Sequence, residues 1–459
     1  MPAATYRPPP KPIPVQTFSD HIVRTMVLAV PVMFQRAGLV LMIAVGLIMT
    51  GHAGENEQAY YSAAFPIHMS VLVTGIGLLL SVTVLSAQAH GAGRALDCGR
   101  IWRLGLISAA ILGGFCTLIM LHGQMLLRLF GLSEDLAMHG GRVLWMYAYG
   151  VPAMLMYVAT TSFLESIGRT LPGFAISLGA NAINVLLCWI FVFGKFGTEA
   201  MGAEGAAMAL TITRGFMLLA AAFYAMRMAD HAYFGVNATL SGFLHNIKKL
   251  LRVGTPLALA NGLESVAFAL VTLFAGWLGA KELATFQDAL NLNAMIFMLA
   301  IGVATATAVR VANAVGRGDQ SGLRRAGWVG AGIEIIITGL LAILIVAGCD
   351  IIAGIYTSEV EVQLILVAVL PLVAWVSIAD GLQTVILAAT RGVADTVVPT
   401  VLQGISFWVV MVPLCYYLSH IAKMGVHGLF IGIGVAVFVA SAMLAIRFFI
   451  HTRRVILPI

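Results

Sequence analysis

Two carboxylates, Glu264 and Asp380, lie deep inside long apolar runs of the sequence. An ionised carboxylate in the hydrocarbon core of a membrane costs several kcal/mol unless it is paired, protonated or bound to an ion, and such residues mark ion or proton pathways. Each acid lies about 10 residues from the same end of its predicted helix, which at 1.5 Å per residue places both roughly 15 Å deep. The two side chains are therefore expected to meet near the middle of the membrane.

Polar residues accompany each acid at helical spacing. They lie three or four residues from Asp380 or three before Glu264, and they are Asn261, Ser377, Gln383 and Thr384. Asn291, at the start of the polar run in the next helix, is predicted to add a ligand. Oxygen ligands at one depth suit Na⁺, and two close carboxylates also suit proton exchange. The sequence leaves open which ion binds, and interhelical hydrogen bonding without ion binding is the alternative.

Methionine and aromatic side chains are expected to line a substrate cleft, because such surfaces bind varied apolar cations. The predicted cleft residues are Met33, Phe34, Gln35, Phe268 and Phe286. In a chain with 23 Phe and 22 Met, ordinary packing is the competing explanation for most of them.

Other ionisable residues inside apolar runs are expected to have structural roles. Arg36 must face a cavity or a carboxylate, and pairing with a carboxylate is the favoured interpretation. His68 is predicted to be a hydrogen-bonded histidine rather than a proton carrier. The remaining acids should reach water or pair with basic neighbours, and these are Glu165, Asp288 and Glu334.

The elements that position these residues are membrane helices. The chain is 60% hydrophobic and 10% charged, with a mean hydropathy of +0.96, which excludes an ordinary soluble domain. Twelve runs reach the roughly 20 residues needed to cross a bilayer. Residues also match at an offset of 225, as in Pro31/Pro256, Gly77/Gly302 and Gly91/Gly316. The sequence thus predicts an all-α integral membrane protein, with twelve transmembrane helices in two six-helix lobes related by a parallel repeat.

The repeat is not symmetric in chemistry. At the same offset, Leu39 and Leu155 are equivalent to Glu264 and Asp380. Only the second half carries the acid pair.

Basic residues predict the orientation and the domain boundaries. With the N-terminus in the cytoplasm, 19 Lys and Arg residues fall on that side and 5 on the other, so both termini are expected in the cytoplasm and the protein in the inner (plasma) membrane. The predicted segments are a Pro-rich cytoplasmic tail over 1–20, an N-lobe over 21–227, a cytoplasmic interlobe linker over 228–251, a C-lobe over 252–447 and a cytoplasmic tail over 448–459.

Several function classes are excluded by missing motifs. The five cysteines show no metal-ligand spacing or CxxC pairing, and the chain contains no HExxH or GxSxG motif. We therefore expect no enzyme activity and no cofactor other than Na⁺ or H⁺ as a coupling ion. The net charge of +6 follows from the excess of Lys and Arg on the predicted cytoplasmic side and does not indicate nucleic-acid binding. We expect a monomer in the lipid bilayer.

Three segments resemble the multidrug and toxic compound extrusion (MATE) transporters, in particular their NorM-like branch. They are the stretch from Pro256 to Asp319, with its intramembrane glutamate, QDALN and GRGD; ADGLQTVILAATRG; and NVLLCWIFVFGKFG. The resemblance covers nearly the whole chain after the Pro-rich tail over 1–20. It implies a two-lobed antiporter that exports amphipathic organic cations and drugs in exchange for Na⁺ or H⁺.

The chain departs from the family pattern in its first half. Gly46 stands where the family commonly has an aspartate, so an N-lobe acid cannot couple transport at this position. Cys188 replaces a frequent asparagine, whereas Asn184 keeps the earlier one and is predicted to line the substrate cleft. A lipid or lipid-linked oligosaccharide flippase of the same architecture is the alternative, with Arg36 and Arg214 as the candidate cations of its cleft.

Overall fold

The computed structural model describes residues 18–236, 243–356 and 360–458, and these form helices without strands. Twelve helical segments, one of them composed of several helices, are long and apolar enough to cross a membrane, which confirms the predicted number. The helices of the first half are α1 (Phe18–Ala53), α2 (Glu55–Gly91), α3 (Ala95–Leu121), α4 (Gly123–Leu129), α5 (Glu134–Ser166), α6 (Leu171–Phe193) and α7 (Gly202–Arg227).

The second half begins with α8 (Phe243–Leu278), α9 (Ala280–Arg317), α10 (Gln320–Ala347), α11 (Cys349–Tyr356) and α12 (Val360–Gly392). The eleventh crossing runs from Val397 to Ile421 and comprises α13 (Val397–Ile405), a π-helix (Ser406–Met411), α14 (Val412–Tyr416) and a second π-helix (Tyr417–Ile421). The last crossing is α15 (Gly425–His451). The start of α8 lies inside the segment 228–251 that the sequence predicts to be a linker, so the amphipathic end of that segment continues into a membrane helix.

Helix lengths recur between the halves in chain order. In the first half, α1, α2, α3 and α5 contain 36, 37, 27 and 33 residues. In the second half, α8, α9, α10 and α12 contain 36, 38, 28 and 33 residues. Even the short α4 has a counterpart in α11. This pattern is consistent with the repeat predicted from the sequence.

Local signals end the helices where the chain must turn. Gly318 follows α9 with φ of 71°, a left-handed conformation that glycine adopts without a steric penalty. Asp319 then caps α10 by accepting a hydrogen bond of 2.8 Å from the backbone N–H of Gly322. Burial opposes ionisation of Asp319, but the bonds from Gly322 and Ser321 outweigh it and lower the pKa of its carboxyl.

Each lobe has its own apolar core. Tyr61, Tyr147 and Leu155 lie in the core of the first half, whereas Phe286, Phe407 and Phe430 lie in that of the second. Because each of these two main cores draws its residues from one half, each half can move as a unit.

The lobes contact each other through glycines at repeat-equivalent positions. A Cβ at Gly77 would lie 2.8 Å from the backbone oxygen of Leu257, and one at Gly302 would lie 2.9 Å from the backbone nitrogen of Met33. Nearer the helix ends, Gly91 abuts the backbone of Asn313, and Gly316 abuts that of Gln88. Small residues let helix backbones approach closely in a membrane.

Hydrogen bonds strengthen the contact at the end where the interlobe connection lies. Gln88 donates to the backbone oxygen of Gly392 at 3.0 Å, and Arg310 donates to that of His21 at 2.7 Å. The lobes are therefore closed against each other at this end.

Gly316→Val should weaken this closure, because overpacking a tight contact costs about 1–3 kcal/mol. With spin labels at Leu96 and Arg325, one on each lobe, double electron–electron resonance should show an additional, longer distance between the labels in this variant. Gly339→Val is the matched control, since a Cβ at Gly339 meets nothing within 4 Å. Identical distance distributions in the two variants, both folded by size-exclusion chromatography, would contradict the role of the glycine contact.

Candidate ion-coupling site and central cavity

A cavity of about 580 Å³ lies between the lobes. Its walls come from α1, α2, α5 and α7 of the first half and from α8, α9, α12 and α13 of the second. Ligand pockets for drug-sized molecules typically have volumes of about 300–1,000 Å³. The space between the lobes therefore suits a small organic molecule.

The two predicted acids line this cavity on its C-lobe wall. Glu264 is carried by α8 and Asp380 by α12. Gln403 of α13 donates to Glu264 at 3.1 Å, and Asn293 of α9 donates to Asp380 at 3.3 Å. Four helices thus contribute to one polar wall.

The predicted polar partners also gather at this wall. Gln383 and Thr384 line the cavity, and Ser377 is buried behind it, where its hydroxyl donates to Asn293 Oδ1 at 2.8 Å. Asn261 lines the cavity and donates to the backbone oxygen of Val73 at 3.5 Å. The polar residues predicted from helical spacing therefore lie on the C-lobe wall or behind it.

Asn291 is not brought to the acids. Its side chain accepts a hydrogen bond of 3.0 Å from the hydroxyl of Tyr356, and Asn293 contacts Asp380 instead. Two residues along a helix turn the side chain to another face. The cavity-lining residues of α9 recur every three or four positions and include Leu290, Asn293, Ala294, Phe297, Met298 and Ile301. Asn293 belongs to this set and Asn291 does not, so helical spacing is the sequence signal that could have identified Asn293.

Sequence reasoning also missed two polar residues of the C-lobe, and its expectation that Glu334 reaches water or pairs with a basic neighbour was wrong. Gln403 binds Glu264, and Arg391, one of the 19 basic residues counted on the cytoplasmic side, lines the cavity and donates to Asn261 at 3.4 Å. Glu334 of α10 is 0% exposed, and neither of its carboxyl oxygens has a hydrogen-bond partner among the described residues. Its carboxyl packs against Gly381, next to Asp380.

Glu264 and Asp380 supply two carboxylates to this wall of the cavity. Within residues 18–236, 243–356 and 360–458, no group of three His, Cys, Asp or Glu side chains has the arrangement of a metal site. A bound Na⁺ would therefore need amide or hydroxyl oxygens in addition to Glu264 and Asp380. Gln383 and Gln403 each present a buried side-chain oxygen without a partner in the described chain, so acceptors for a cation are present.

Of the predicted substrate-cleft residues, Phe268 lines the cavity and five others lie elsewhere. Met33 packs in the contact between the lobes, and Phe34 is 60% exposed with its ring 5.8 Å from that of Phe174. The cavity face of α1 is instead formed by Arg36, Leu39, Val40 and Ile43. Successive residues of a helix point in different directions, so Met33 and Phe34 face away from the cavity although Arg36 lines it.

The other three side chains are buried within the lobes. Gln35 donates to the hydroxyl of Tyr157 at 3.2 Å, and Asn184 lies 3.9 Å from the sulfur of Cys188. Phe286 packs in the C-lobe core, with its ring 5.3 Å from that of Phe430. Packing, the alternative stated for the aromatic residues, accounts for Phe286.

The N-lobe wall carries basic residues. Arg36 lines the cavity and pairs with Glu165 at 3.5 Å, the structural pairing favoured for it. Arg214 also lines the cavity, and its guanidinium lies 2.9 Å from Nε2 of His68. The two lobes thus present opposite kinds of charge to one cavity.

Gly46 has no space for the family's acid in this conformation. A Cβ at this position would overlap the hydroxyl of Tyr61, whose ring packs at 5.9 Å from that of Tyr147. An aspartate here would have to displace a buried tyrosine.

Asn293→Leu should impair ion-coupled transport far more than Asn291→Leu. Loss of a hydrogen bond to a charged group costs about 1.5–3 kcal/mol, or roughly 10- to 150-fold in ion affinity. Asn291 binds Tyr356 outside the cavity, so its variant should stay within about 2-fold of wild type on the same reasoning. Ion titrations of the two purified variants measure the difference, and equal affinities would remove Asn293 from the site.

Comparison with known proteins agrees with this architecture. The family model described as MatE matches residues 31–190 and 256–417, two segments that begin at the equivalent prolines Pro31 and Pro256. The chain is 32% identical to "Probable multidrug resistance protein NorM" of Caulobacter vibrioides, over 95% of this chain and 92% of the relative. It is 31% identical to the protein of that name from Xanthomonas campestris, over 97% and 98% of the two chains.

Solved structures show the same fold. A eukaryotic MATE transporter superposes with a TM-score of 0.88 at 21% identity, covering 95% of this chain and 98% of the other. A multidrug resistance MATE family transporter in an outward-facing conformation gives 0.86 at 21% identity, covering 95% and 96%. The chain therefore belongs to the MatE family, and it is a multi-pass membrane protein that acts as a secondary transporter and not as an enzyme.

Proposed function

We propose that this protein is a multidrug efflux transporter that exports amphipathic organic cations in exchange for Na⁺ or H⁺. The observation that carries the proposal is the position of Glu264 and Asp380 on the wall of a cavity between two separately packed lobes. The names of the relatives from Caulobacter vibrioides and Xanthomonas campestris, which are multidrug resistance proteins, support it.

The coupling ion would bind at the C-lobe wall. Carboxylate oxygens of Glu264 and Asp380, together with the unpartnered oxygens of Gln383 and Gln403, form a set that suits a hard cation. A proton would bind one of the two carboxylates. Either ion neutralises charge that would otherwise be costly at this depth.

The drug would bind the rest of the same cavity. Its wall is mainly apolar and includes Met69, Phe268, Phe297 and Met298, while the acids supply negative charge. Aromatic faces and carboxylates both attract an organic cation. Ion and drug thus compete for the same charge.

Transport would follow from alternating access of the two lobes. The lobes meet at the linker end through Gly91 and Gly316 and nearer the middle of the helices through Gly77 and Gly302, and breaking these contacts would open that end. An ion that favours one orientation and a drug that favours the other are coupled even without direct contact. A coupling free energy of about 1–3 kcal/mol changes affinity by about 5- to 150-fold.

Export requires a defined orientation in the membrane. The excess of Lys and Arg supports an orientation in the inner membrane with both termini and the interlobe connection on the cytoplasmic side. In that orientation the closed end of the cavity faces the cytoplasm. A transporter in this orientation and conformation would release drug outward.

The flippase alternative gains no support from the cavity. Of its two candidate cations, Arg36 is paired with Glu165, and Arg214 has no acidic partner among the described residues. A pyrophosphate headgroup would call for several free cations.

Glu264→Gln and Asp380→Asn should each abolish ion-driven dye efflux, because each removes a charge with little change in volume. Proteoliposomes with separately imposed Na⁺ and pH gradients would measure ethidium transport and identify the ion. Asp288→Asn, an acid of α9 outside the cavity wall, is the control and should keep wild-type rates. Wild-type efflux by both cavity variants would overturn the assignment.

Bound drug should weaken ion binding by the same factor by which the ion weakens drug binding, since linkage is reciprocal. Titrations of ²²Na⁺ binding or of proton release, with and without saturating ethidium, should show a shift of about 5- to 150-fold. Asp380→Asn should lose this shift. An ion affinity that saturating drug leaves unchanged would rule out antiport through this site.

A further inference from the structure

Arg214 is a buried cation that has no acidic partner among the residues the structure describes. It lies on α7, lines the cavity on the N-lobe wall and is 3% exposed. In the part of the chain that the structure describes, its polar contacts are Nε2 of His68 at 2.9 Å from Nη2 and the ring of Tyr147 at 5.9 Å from Cζ. Nη1 has no hydrogen-bond partner there.

His68 cannot supply the missing negative charge. A guanidinium has donors only, so the contact requires Nε2 of His68 to accept and the imidazole to be neutral. The His68 ring stacks on Tyr147 at 4.2 Å with 15° between the planes. This stack holds the imidazole in place and orients one end of the guanidinium, while the other end remains free.

The cavity contains two other arginines, and both have compensating groups. Arg36 pairs with Glu165 at 3.5 Å. Arg391 lies on the C-lobe wall with the acids and donates to Asn261. A charge inside a membrane is costly unless it is paired, so Arg214 requires an anion that the described protein does not provide.

The two walls of the cavity therefore differ in sign. Glu264 and Asp380 make the C-lobe wall acidic, and Arg214 makes the N-lobe wall basic, while apolar side chains such as Leu39, Ile43 and Phe268 line other parts of the cavity. A ligand matching this arrangement has an apolar body, a cationic group at one end and an anionic group at the other.

We propose that Arg214 forms an anion-binding subsite that takes the carboxylate of an amphipathic zwitterion. The cationic group of the same ligand faces Glu264 and Asp380. Nη1 and Nη2 of Arg214 donate to the two carboxylate oxygens, the planar geometry in which guanidinium and carboxylate pair most strongly. The inference rests on the proposed drug cavity and narrows its substrate class.

Rhodamine 110 and rhodamine 123 test this subsite, because the second is the methyl ester of the first and differs only in lacking the free carboxylate. Fluorescence anisotropy with the full-length purified protein gives the affinity for each dye. Arg214→Gln should weaken rhodamine 110 binding by about 10-fold or more, since hydrogen bonds to charged groups are the strong ones. It should strengthen rhodamine 123 binding, because a repelling charge is removed.

Two further variants separate charge from folding. Arg214→Lys keeps a point charge without the planar fork and should give an intermediate affinity for rhodamine 110. Arg227→Gln, on the same helix and stacked on Phe223 at 5.4 Å, should change neither dye. Equal weakening of both dyes by Arg214→Gln and by Arg214→Lys would show that the residue only holds the fold, and would overturn the subsite.

The same measurements distinguish this proposal from the cation-export proposal. Rhodamine 123 binding that depends on Asp380, together with no discrimination at Arg214, removes the anion subsite alone. Rhodamine 110 binding that depends on Arg214, with no binding or efflux of rhodamine 123, supports the subsite and contradicts export of simple cations.

Discussion

The cost of placing charge in hydrocarbon governs the centre of this protein. Glu264, Asp380, Arg36 and Arg214 all lie at helix positions that a lipid-facing surface could not tolerate, and all of them line the cavity between the lobes. The rest of the architecture follows from that requirement. Twelve crossings satisfy their own backbone groups, and their packing leaves a cavity between the lobes where the charges meet ligands, partners or amide groups.

That requirement also explains how much could be predicted. Glu264 and Asp380 were identified from the sequence because a carboxylate in an apolar run has few explanations, and the number of crossings followed from the length of those runs. It was harder to predict which face of each helix points into the cavity. Asn291 and Asn293 differ by two positions, and only the neighbours of α9 decide which one reaches Asp380.

Aromatic and basic residues were predicted less well for a related physical reason. Phe34, Phe286 and Phe268 are chemically alike, so their identity gives no indication of whether they face lipid, core or cavity. Arg391 lies near the end of α12 and was assigned to the surface, yet its long side chain reaches the cavity. Glu334 has no sequence signature that separates a buried, unpartnered carboxyl from one that reaches water.

The glycine contacts between the lobes have the form of an isologous interface. Gly91 meets Asn313 while Gly316 meets Gln88, and Asn313 and Gln88 are themselves equivalent at the repeat offset. Gly77 with Ala258 and Gly302 with Met33 show the same reciprocity. Such self-complementarity is the mark of a twofold dimer. Two copies of a single half would thus possess the surface needed to pair, and the chemical difference between the lobes could arise afterwards without disturbing how they join.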